Sequence, residues 1–198
     1  MSALFTRIAD LHARGHALDD VELHRDTRIP PEEQDFRPAA VLAAITERDR
    51  PGVLLIHRPS NMRAHPGQIA FPGGKLDPGE TPVEAALREA WEELGIHAGD
   101  VRVVGTSDLY KTGSGFEITP VIGILPPDIA INPNPTEVAQ WFEAPLDFIL
   151  DPANQEQHWI EWEGDMHRYW GIKWQEHDIW GVTAGIIVNL SRRLRWHG

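Results

Sequence analysis

The stretch GKLDPGETPVEAALREAWEELGI, residues 74–96, joins a glycine-containing loop to a helix that has both a start and a stop signal. Thr81 can cap the helix, Pro82 suits its first position, and Glu84 completes a capping box. Gly95 supplies the left-handed residue that commonly ends a helix. The pattern predicts a helix that begins at Pro82 and ends just before Gly95.

The predicted helix has an acidic side and an apolar side. At about 100° per residue, Glu89, Glu92 and Glu93 fall within an arc of about 100°. The opposite side is formed by Val83, Leu87, Ala90, Trp91 and Leu94. Like charges three or four residues apart repel by about 0.2–0.5 kcal/mol per pair, and carboxylates in the last turn oppose the helix dipole by about 0.3–1 kcal/mol. A solvated acidic face is the plain alternative, but both costs favour a site for a hard divalent cation.

The composition narrows the classes of function. The chain has 198 residues, enough for one domain with a full core, and its 41% hydrophobic and 24% charged residues are typical of globular proteins. It has no cysteine, which excludes disulfides, thiolate metal sites and cysteine nucleophiles. The net charge of −12 argues against nucleic acid as a general partner, because that needs a basic surface. It permits a phosphorylated small molecule that divalent cations bridge to the protein.

No segment of the sequence predicts contact with a membrane. The chain has no apolar run near the roughly 20 residues that cross a bilayer. Charges at Arg7, Asp10 and Arg14 interrupt the N-terminus, unlike a signal peptide. We therefore expect a cytoplasmic protein without a membrane partner.

Hydrophobic patterning predicts an α/β fold with a mixed β-sheet. We expect an N-terminal helix and connecting segment over residues 1–37 and the main domain over residues 38–198. Periodicity and turn residues predict these elements in chain order: a helix within 2–18, a hairpin of strands 39–46 and 52–58, strands within 101–110 and 118–125, a strand and a short helix within 135–150, strands within 158–174, and a helix within 180–196.

Five tryptophans are concentrated near the end of the chain: Trp159, Trp162, Trp170, Trp174 and Trp180. Buried aromatic side chains are common, so the favoured interpretation is packing in the core or in the interface of a homodimer. Stacking on an adenine ring is the alternative.

Residues 74–96 also match a known motif. The motif is Gly-x5-Glu-x7-Arg-Glu-U-x-Glu-Glu-x-Gly-U, where U is apolar. Its seven fixed positions are occupied here by Gly74, Glu80, Arg88, Glu89, Glu92, Glu93 and Gly95. The stretch therefore resembles the Nudix box, with the small Ala90 at the first U position as its one departure. The resemblance implies a Nudix-type α/β/α sandwich and hydrolysis of a nucleoside diphosphate that is linked to another moiety.

The resemblance also implies a metal site with Mg²⁺ or Mn²⁺ as the cofactor. Its ligands would be Glu89, Glu92 and Glu93, together with the Gly74 carbonyl. Arg88 would orient these glutamates and pair with Glu80.

A second motif lies upstream of the box, in LLIHRPSNMRAHPGQIAFPGG, residues 54–74. It resembles the signature Leu-Leu-Thr-x-Arg-Ser-x3-Arg-x3-Gly-x3-Phe-Pro-Gly-Gly of the coenzyme A (CoA) pyrophosphatase subfamily, with Ile56 and Pro59 departing from it. The matching positions are Leu54, Leu55, Arg58, Arg63, Gly67, Phe71, Pro72, Gly73 and Gly74. The resemblance implies cleavage of CoA, or of a CoA derivative, to 3′,5′-ADP and 4′-phosphopantetheine or its acylated form.

Four residues of this second motif would bind the substrate: Arg58, Arg63, Gly73 and Phe71. A guanidinium offers paired donors that suit phosphate. Without the motif, surface salt bridges would explain the two arginines equally well.

The general base is left open by the sequence. Within the catalytic set of Arg88, Glu92, Glu93 and Glu137, the base would be either Glu92 on the box helix or Glu137 on a later loop. Two other functions also stay open, namely a Nudix pyrophosphatase acting on ADP-ribose or NADH, and a silent nucleotide-binding regulatory module. The silent module would be marked by loss of a box glutamate, and none is lost here.

Overall fold

A long pair of parallel strands forms the centre of the fold. In the computed structural model, which describes residues 2–29, 35–59, 67–162 and 164–197, β1 (Arg37–Thr46) pairs in parallel with β7 (Phe116–Leu125) along its whole length. The remaining strands of this sheet are antiparallel to their neighbours: β2 (Gly52–His57), β3 (Ile69–Ala70), β4 (Gly73–Lys75), β5 (Arg102–Thr106), β6 (Tyr110–Lys111) and β8 (Gln140–Pro145). The sheet is therefore mixed, as the sequence predicted.

The predicted hairpin of β1 and β2 is confirmed, but it is short. Only Ile45 and Thr46 pair with Val53 and Gly52. On its other side β2 pairs with β8 along its whole length. Away from the hairpin, Ile56 and His57 of β2 pair with β3, while the first half of β1 pairs with β4. Segment 69–75 thus fills the gap between the two diverging strands, which brings the glycine loop into the sheet.

Helices cover both faces of the sheet. Helix α2 (Pro82–Leu94) packs on one face, against a buried cluster that includes Ala40 and Leu42 of β1. Helices α1 (Ala3–His16) and α4 (Val182–Leu194) lie on the other face, where Ala43 and Ile45 point. Because successive side chains of a strand point to opposite faces, the apolar run of β1 supplies both cores. This arrangement is an α/β/α sandwich and confirms the expected fold class.

The boundaries of α2 agree with the prediction. The Thr81 hydroxyl accepts a hydrogen bond from the Glu84 amide at 3.3 Å, and the Glu84 carboxylate accepts one from the Thr81 amide at 2.8 Å. Gly95 ends the helix with φ of 67°, a left-handed conformation that favours glycine. The sequence therefore fixes both the length of this helix and the face that it buries.

The C-terminal part forms a second, smaller sheet. After α3 (Leu146–Ile149), the strands β9 (Glu156–Trp162), β10 (Asp165–Trp174) and β11 (His177–Trp180) form an antiparallel sheet in the order β11-β10-β9. Trp170 and Trp174 pack against the main core, in agreement with the core-packing interpretation. The tryptophans at 159, 162 and 180 are exposed, so burial within this chain does not account for them.

The N-terminal segment is fastened to the last helix. The amide of His24 donates to Asn189 Oδ1 at 2.7 Å, and Asn189 Nδ2 donates to the carbonyl of His24 at 3.0 Å. Arg193 donates to the carbonyl of Gly15 in the last turn of α1 and to the carbonyl of Leu18 just after that helix. Within the described ranges, no helix has the length and apolar character needed to span a membrane.

Candidate metal and catalytic site

Three carboxylates converge at the C-terminal half of α2. Glu89, Glu93 and Glu137 each offer an oxygen within 4.8 Å of the other two. Glu89 and Glu93 come from the box helix, and Glu137 comes from the loop before β8. Glu92 is not part of this group, because its half-exposed side chain bonds to Arg88 instead. The donors are all oxygen, which is the ligand type that Mg²⁺ and Mn²⁺ prefer.

Glu93 is the most deeply placed of the three carboxylates, with 2% of its surface exposed. Burial raises the pKa of Glu93 to about 8, and the nearby Glu89 and Glu137 add to this rise. The amide of Gly73, which donates to Glu93 Oε2 at 2.9 Å, and the positive charge of Arg58 lower the pKa in part. The remaining electrostatic cost is what a bound cation would relieve, so these residues fit a divalent metal.

Glu89 is held against the glycine loop. A Cβ at Gly74 would lie 2.2 Å from Glu89 Oε1, so a larger residue at that position would displace the carboxylate. Burial raises the pKa of Glu89, and the hydrogen bond from Arg88 opposes the rise. The first glycine of the box therefore serves to let the loop and the glutamate approach each other.

Arg88 organises the acidic side of the helix. Its Nε and Nη2 donate to the two oxygens of Glu80 at 2.9 and 3.1 Å, which confirms the predicted pairing. Its Nη1 donates to Glu89 Oε1 and to Glu92 Oε2, each at 2.9 Å, and its Nη2 also donates to the Lys75 carbonyl at 3.0 Å. These bonds raise the pKa of Arg88, with Glu80 making the largest contribution. The guanidinium thus ties the loop to the helix and fixes the rotamer of Glu89.

We expect Arg88→Lys to lower the free energy of unfolding of the metal-free protein by about 1–3 kcal/mol, because an ammonium cannot keep the forked contact with Glu80 and the bonds to Glu89 and Glu92 together. Hydrolysis should fall by about 10–100-fold, as is usual when a residue that orients metal ligands is changed. Urea unfolding and initial rates measure the two effects.

The matched control for this prediction is Arg48→Lys. Arg48, whose side chain is 41% exposed, makes an ion pair with Glu143 at 2.9 Å. A lysine can keep a single contact of this kind, so we expect a loss of about 0–1 kcal/mol. Equal losses of stability in the two variants would contradict the role assigned to Arg88.

The loop that carries Glu137 is attached to the end of α2. The amides of Asn132 and Asn134 donate to the carbonyls of Leu94 and Glu93 at 2.8 and 2.9 Å, so the loop satisfies carbonyls that the helix end leaves free. The Asn134 side chain then donates to Glu137 Oε1 at 3.2 Å. Sequence reasoning missed Asn134, although an asparagine three residues before a candidate glutamate, in a turn-forming segment, was a usable signal.

Three of the four residues expected to bind substrate are among those that the structure describes, and they lie in different surroundings. Arg58 follows β2 and is partly exposed, and its Nε has no hydrogen-bond partner among the described residues. Gly73 directs its amide at Glu93. Phe71 is 3% exposed and packs in the core, where it anchors the loop. Arg63 lies outside the described residues.

Comparisons with known proteins identify relatives of this chain. The model of the NUDIX domain family matches residues 36–165. A protein of Enterobacter sp. (strain 638) named "Uncharacterized Nudix hydrolase NudL" is 42% identical over 159 residues, which are 80% of this chain and 83% of that one. A protein of the same name from Escherichia fergusonii is 42% identical over 169 residues, or 84% and 88% of the two chains. The crystal structure of the Nudix hydrolase RenU from M. smegmatis superposes with a TM-score of 0.50 at 26% identity, over 62% of this chain and 78% of that one.

Proposed function

Because this chain belongs to the Nudix family of hydrolases, we propose that it is a metal-dependent diphosphatase whose substrate is CoA or a CoA derivative. It would cleave the diphosphate to 3′,5′-ADP and 4′-phosphopantetheine, or to the acylated form of the latter. The reaction adds the oxygen of water to one phosphorus and breaks the bond from that phosphorus to the bridging oxygen. The other phosphate leaves with that oxygen.

The group of Glu89, Glu93 and Glu137 is the observation that carries the proposed reaction. Three carboxylates within 4.8 Å of one another, one of them almost fully buried, form an oxygen donor set for Mg²⁺ or Mn²⁺. When bound, such ions neutralise diphosphate oxygens and lower the pKa of a bound water. The presence of this complete set favours an enzyme over a silent regulatory module.

The protein's own residues supply positioning and proton transfer in this proposal. Glu89 and Glu93 would hold the metal, and Arg88 keeps Glu89 in its rotamer through the bond at 2.9 Å. Glu137 either completes the metal shell or accepts a proton from the attacking water. Arg58, which is partly exposed and whose positive charge acts on Glu93, would bind a phosphate oxygen through its guanidinium.

CoA as the substrate is supported by the signature over residues 54–74. This segment supplies Arg58 at the end of β2 and the Gly73 amide that contacts Glu93. Three residues of the signature, Arg58, Gly73 and Gly74, thus lie close to Glu93 or Glu89, where a diphosphate would bind. ADP-ribose and NADH also contain a diphosphate, so the choice among these substrates depends on a direct assay.

We expect CoA to be hydrolysed faster than ADP-ribose or NADH when each is incubated at alkaline pH with Mg²⁺ or Mn²⁺. Chromatography should identify 3′,5′-ADP and 4′-phosphopantetheine as the products from CoA. The matched control is the same reaction with a chelator, in which no product should form. If CoA persists while another diphosphate is cleaved, the substrate assignment is wrong but the reaction class stands; if none is cleaved, both are wrong.

A further inference from the structure

The second sheet exposes large apolar side chains on both of its faces. In the described ranges, seven large hydrophobic side chains are exposed, and four of them lie on one hairpin: Trp159, Ile160, Trp162 and Met166, with 58%, 46%, 53% and 60% of their surface accessible. We call β9 together with residues 165–168 the outer hairpin. Trp159 and Ile160 are adjacent in β9, so they point to opposite faces. Large exposed apolar side chains on both faces of one hairpin are typical of an interaction surface.

One edge of the outer hairpin is also free. Strand β9 pairs with β10 along one side, from Glu156↔Gly171 to Trp162↔Asp165, and it is the last strand in the order β11-β10-β9. Its other side has no strand partner among the described residues. Natural edge strands are commonly protected by charged side chains, lysine above all, by proline or by a bulge. The strand contains neither lysine nor proline, and its charged residues are two glutamates, Glu156 at its first position and Glu161 next to its last. Its pairing with β10 is regular.

We propose that β9 pairs with β9 of a second copy of this chain, in antiparallel orientation, so that the two small sheets join into one. This proposal is independent of the proposed function. Identical antiparallel strands satisfy each other's free amides and carbonyls about a two-fold axis, as the symmetric interface of a homodimer requires. The second copy covers the backbone edge and part of both apolar faces in one contact.

The sequence of β9 selects one register for this pairing. The two-fold axis is perpendicular to the joined sheet, so it leaves each side chain on the same face. Residues that lie opposite each other must share a face, so they are an even number of positions apart in the sequence. The axis therefore passes between one residue and the same residue of the second copy. Trp159 is the midpoint of Glu156–Trp162, so only an axis at Trp159 pairs the strand over its whole length. Every other register leaves strand ends unpaired.

The same register agrees with the charges. Glu161 then lies opposite the partner subunit's Gln157, and Glu156 opposite the partner subunit's Trp162, so that no two carboxylates face each other. Trp159 lies opposite its own symmetry mate and forms an aromatic cross-strand pair. Arg168 pairs with Trp159 within the chain, with its guanidinium 6.0 Å from the ring. The row across the interface is therefore Arg-Trp-Trp-Arg, with the two positive charges at its ends.

Cysteine cross-linking tests this register, because the chain has no cysteine of its own. Paired residues of antiparallel strands have Cα atoms about 4.5–5.5 Å apart, which lies within the range for a disulfide. We expect Trp159→Cys to form a disulfide-linked dimer under mild oxidation. The matched control is Glu161→Cys, whose symmetry mates would lie four residues apart in register, about 13 Å, and should stay unlinked.

Sedimentation of the unmodified chain provides the second measurement, with twice the monomer mass as the expected result. Trp159→Lys, which brings two positive charges together at the axis, should sediment as a monomer with an unchanged circular dichroism spectrum. The proposal is overturned if the unmodified chain is monomeric at about 100 µM, if Trp159→Lys stays dimeric, or if the two cysteine variants cross-link equally. The lysine variant keeps the test valid if Trp159→Cys folds poorly.

Discussion

Glu93→Gln is expected to lower metal-dependent hydrolysis by at least about 100-fold and, at the same time, to stabilise the metal-free protein at pH 8. The loss of rate follows from removing a metal ligand, since changes to residues that only support ligands already cost about 10–100-fold. The gain in stability follows from burial, because Glu93 is 2% exposed and lies beside two further carboxylates. A neutral amide of the same shape removes the cost of burying that charge.

The raised pKa of Glu93 determines whether its contribution to stability rises or falls with pH. The pKa of Glu93 rises from an ordinary 4.5 to about 8 in the folded protein. Between these two pH values the folded state binds more protons at this residue than the unfolded state, so this residue's contribution to stability falls as pH rises. We expect the unfolding midpoint of the unmodified chain, measured with a chelator, to fall from pH 5 to pH 8 more steeply than that of Glu93→Gln.

The control for Glu93→Gln is Asp100→Asn, which removes one negative charge at an exposed position after α2. It should leave both the rate and the pH trend of stability as they are in the unmodified chain. Unchanged turnover in Glu93→Gln would refute the metal assignment. A pH trend of stability identical to that of the unmodified chain would refute the electrostatic argument.

Glu137→Gln is expected to lower the turnover number by at least about 100-fold, because general bases contribute about 10²–10⁴-fold and the loss of a metal ligand has an effect of similar size. The fold should be retained, since Glu137 is partly exposed and glutamine can still accept the bond from Asn134. The rate is measured at saturating substrate and metal.

A titration with Mg²⁺ then separates the two roles of Glu137. If Glu137 is a ligand, the concentration of Mg²⁺ at half-maximal rate should rise in the variant. If Glu137 is the base, that concentration should stay the same while the rate falls. Asp128→Asn, an exposed change in the turn after β7, is the matched control. Native-like turnover of Glu137→Gln would exclude Glu137 from the site.

The box helix could be predicted because its determinants are local. Thr81, Glu84 and Gly95 act within a few residues of the helix ends. Glu80 directly precedes the N-cap, and the helical spacing to Arg88 brings these two side chains together. The cluster of Glu89, Glu93 and Glu137 could be predicted only in part. Glu137 reaches the site because loop amides bond to the end of α2, which no periodicity in the sequence reveals.

The pairing of strands in the main sheet and the burial of the tryptophans also depend on contacts that local sequence patterns do not reveal. The hairpin of β1 and β2 was predicted from two adjacent apolar runs, whereas the parallel pairing of β1 with β7 depends on residues far apart in the chain. Trp170 and Trp174 reach the core, while Trp159, Trp162 and Trp180 do not. Aromatic residues that alternate along a strand predict a strand, but not which of its faces the rest of the molecule covers.

The attachment of the first residues to α4 has a consequence for the order in which the chain can fold. The bonds between His24 and Asn189 span 165 residues, and the bond from Arg193 to the Gly15 carbonyl spans 178. During synthesis α1 leaves the ribosome long before α4 has been made. The apolar side of α1 therefore remains exposed to solvent until α4 can pack against it. Contacts of such high sequence separation slow folding and prolong exposure to aggregation. Chaperone binding to nascent chains should therefore persist until α4 has emerged.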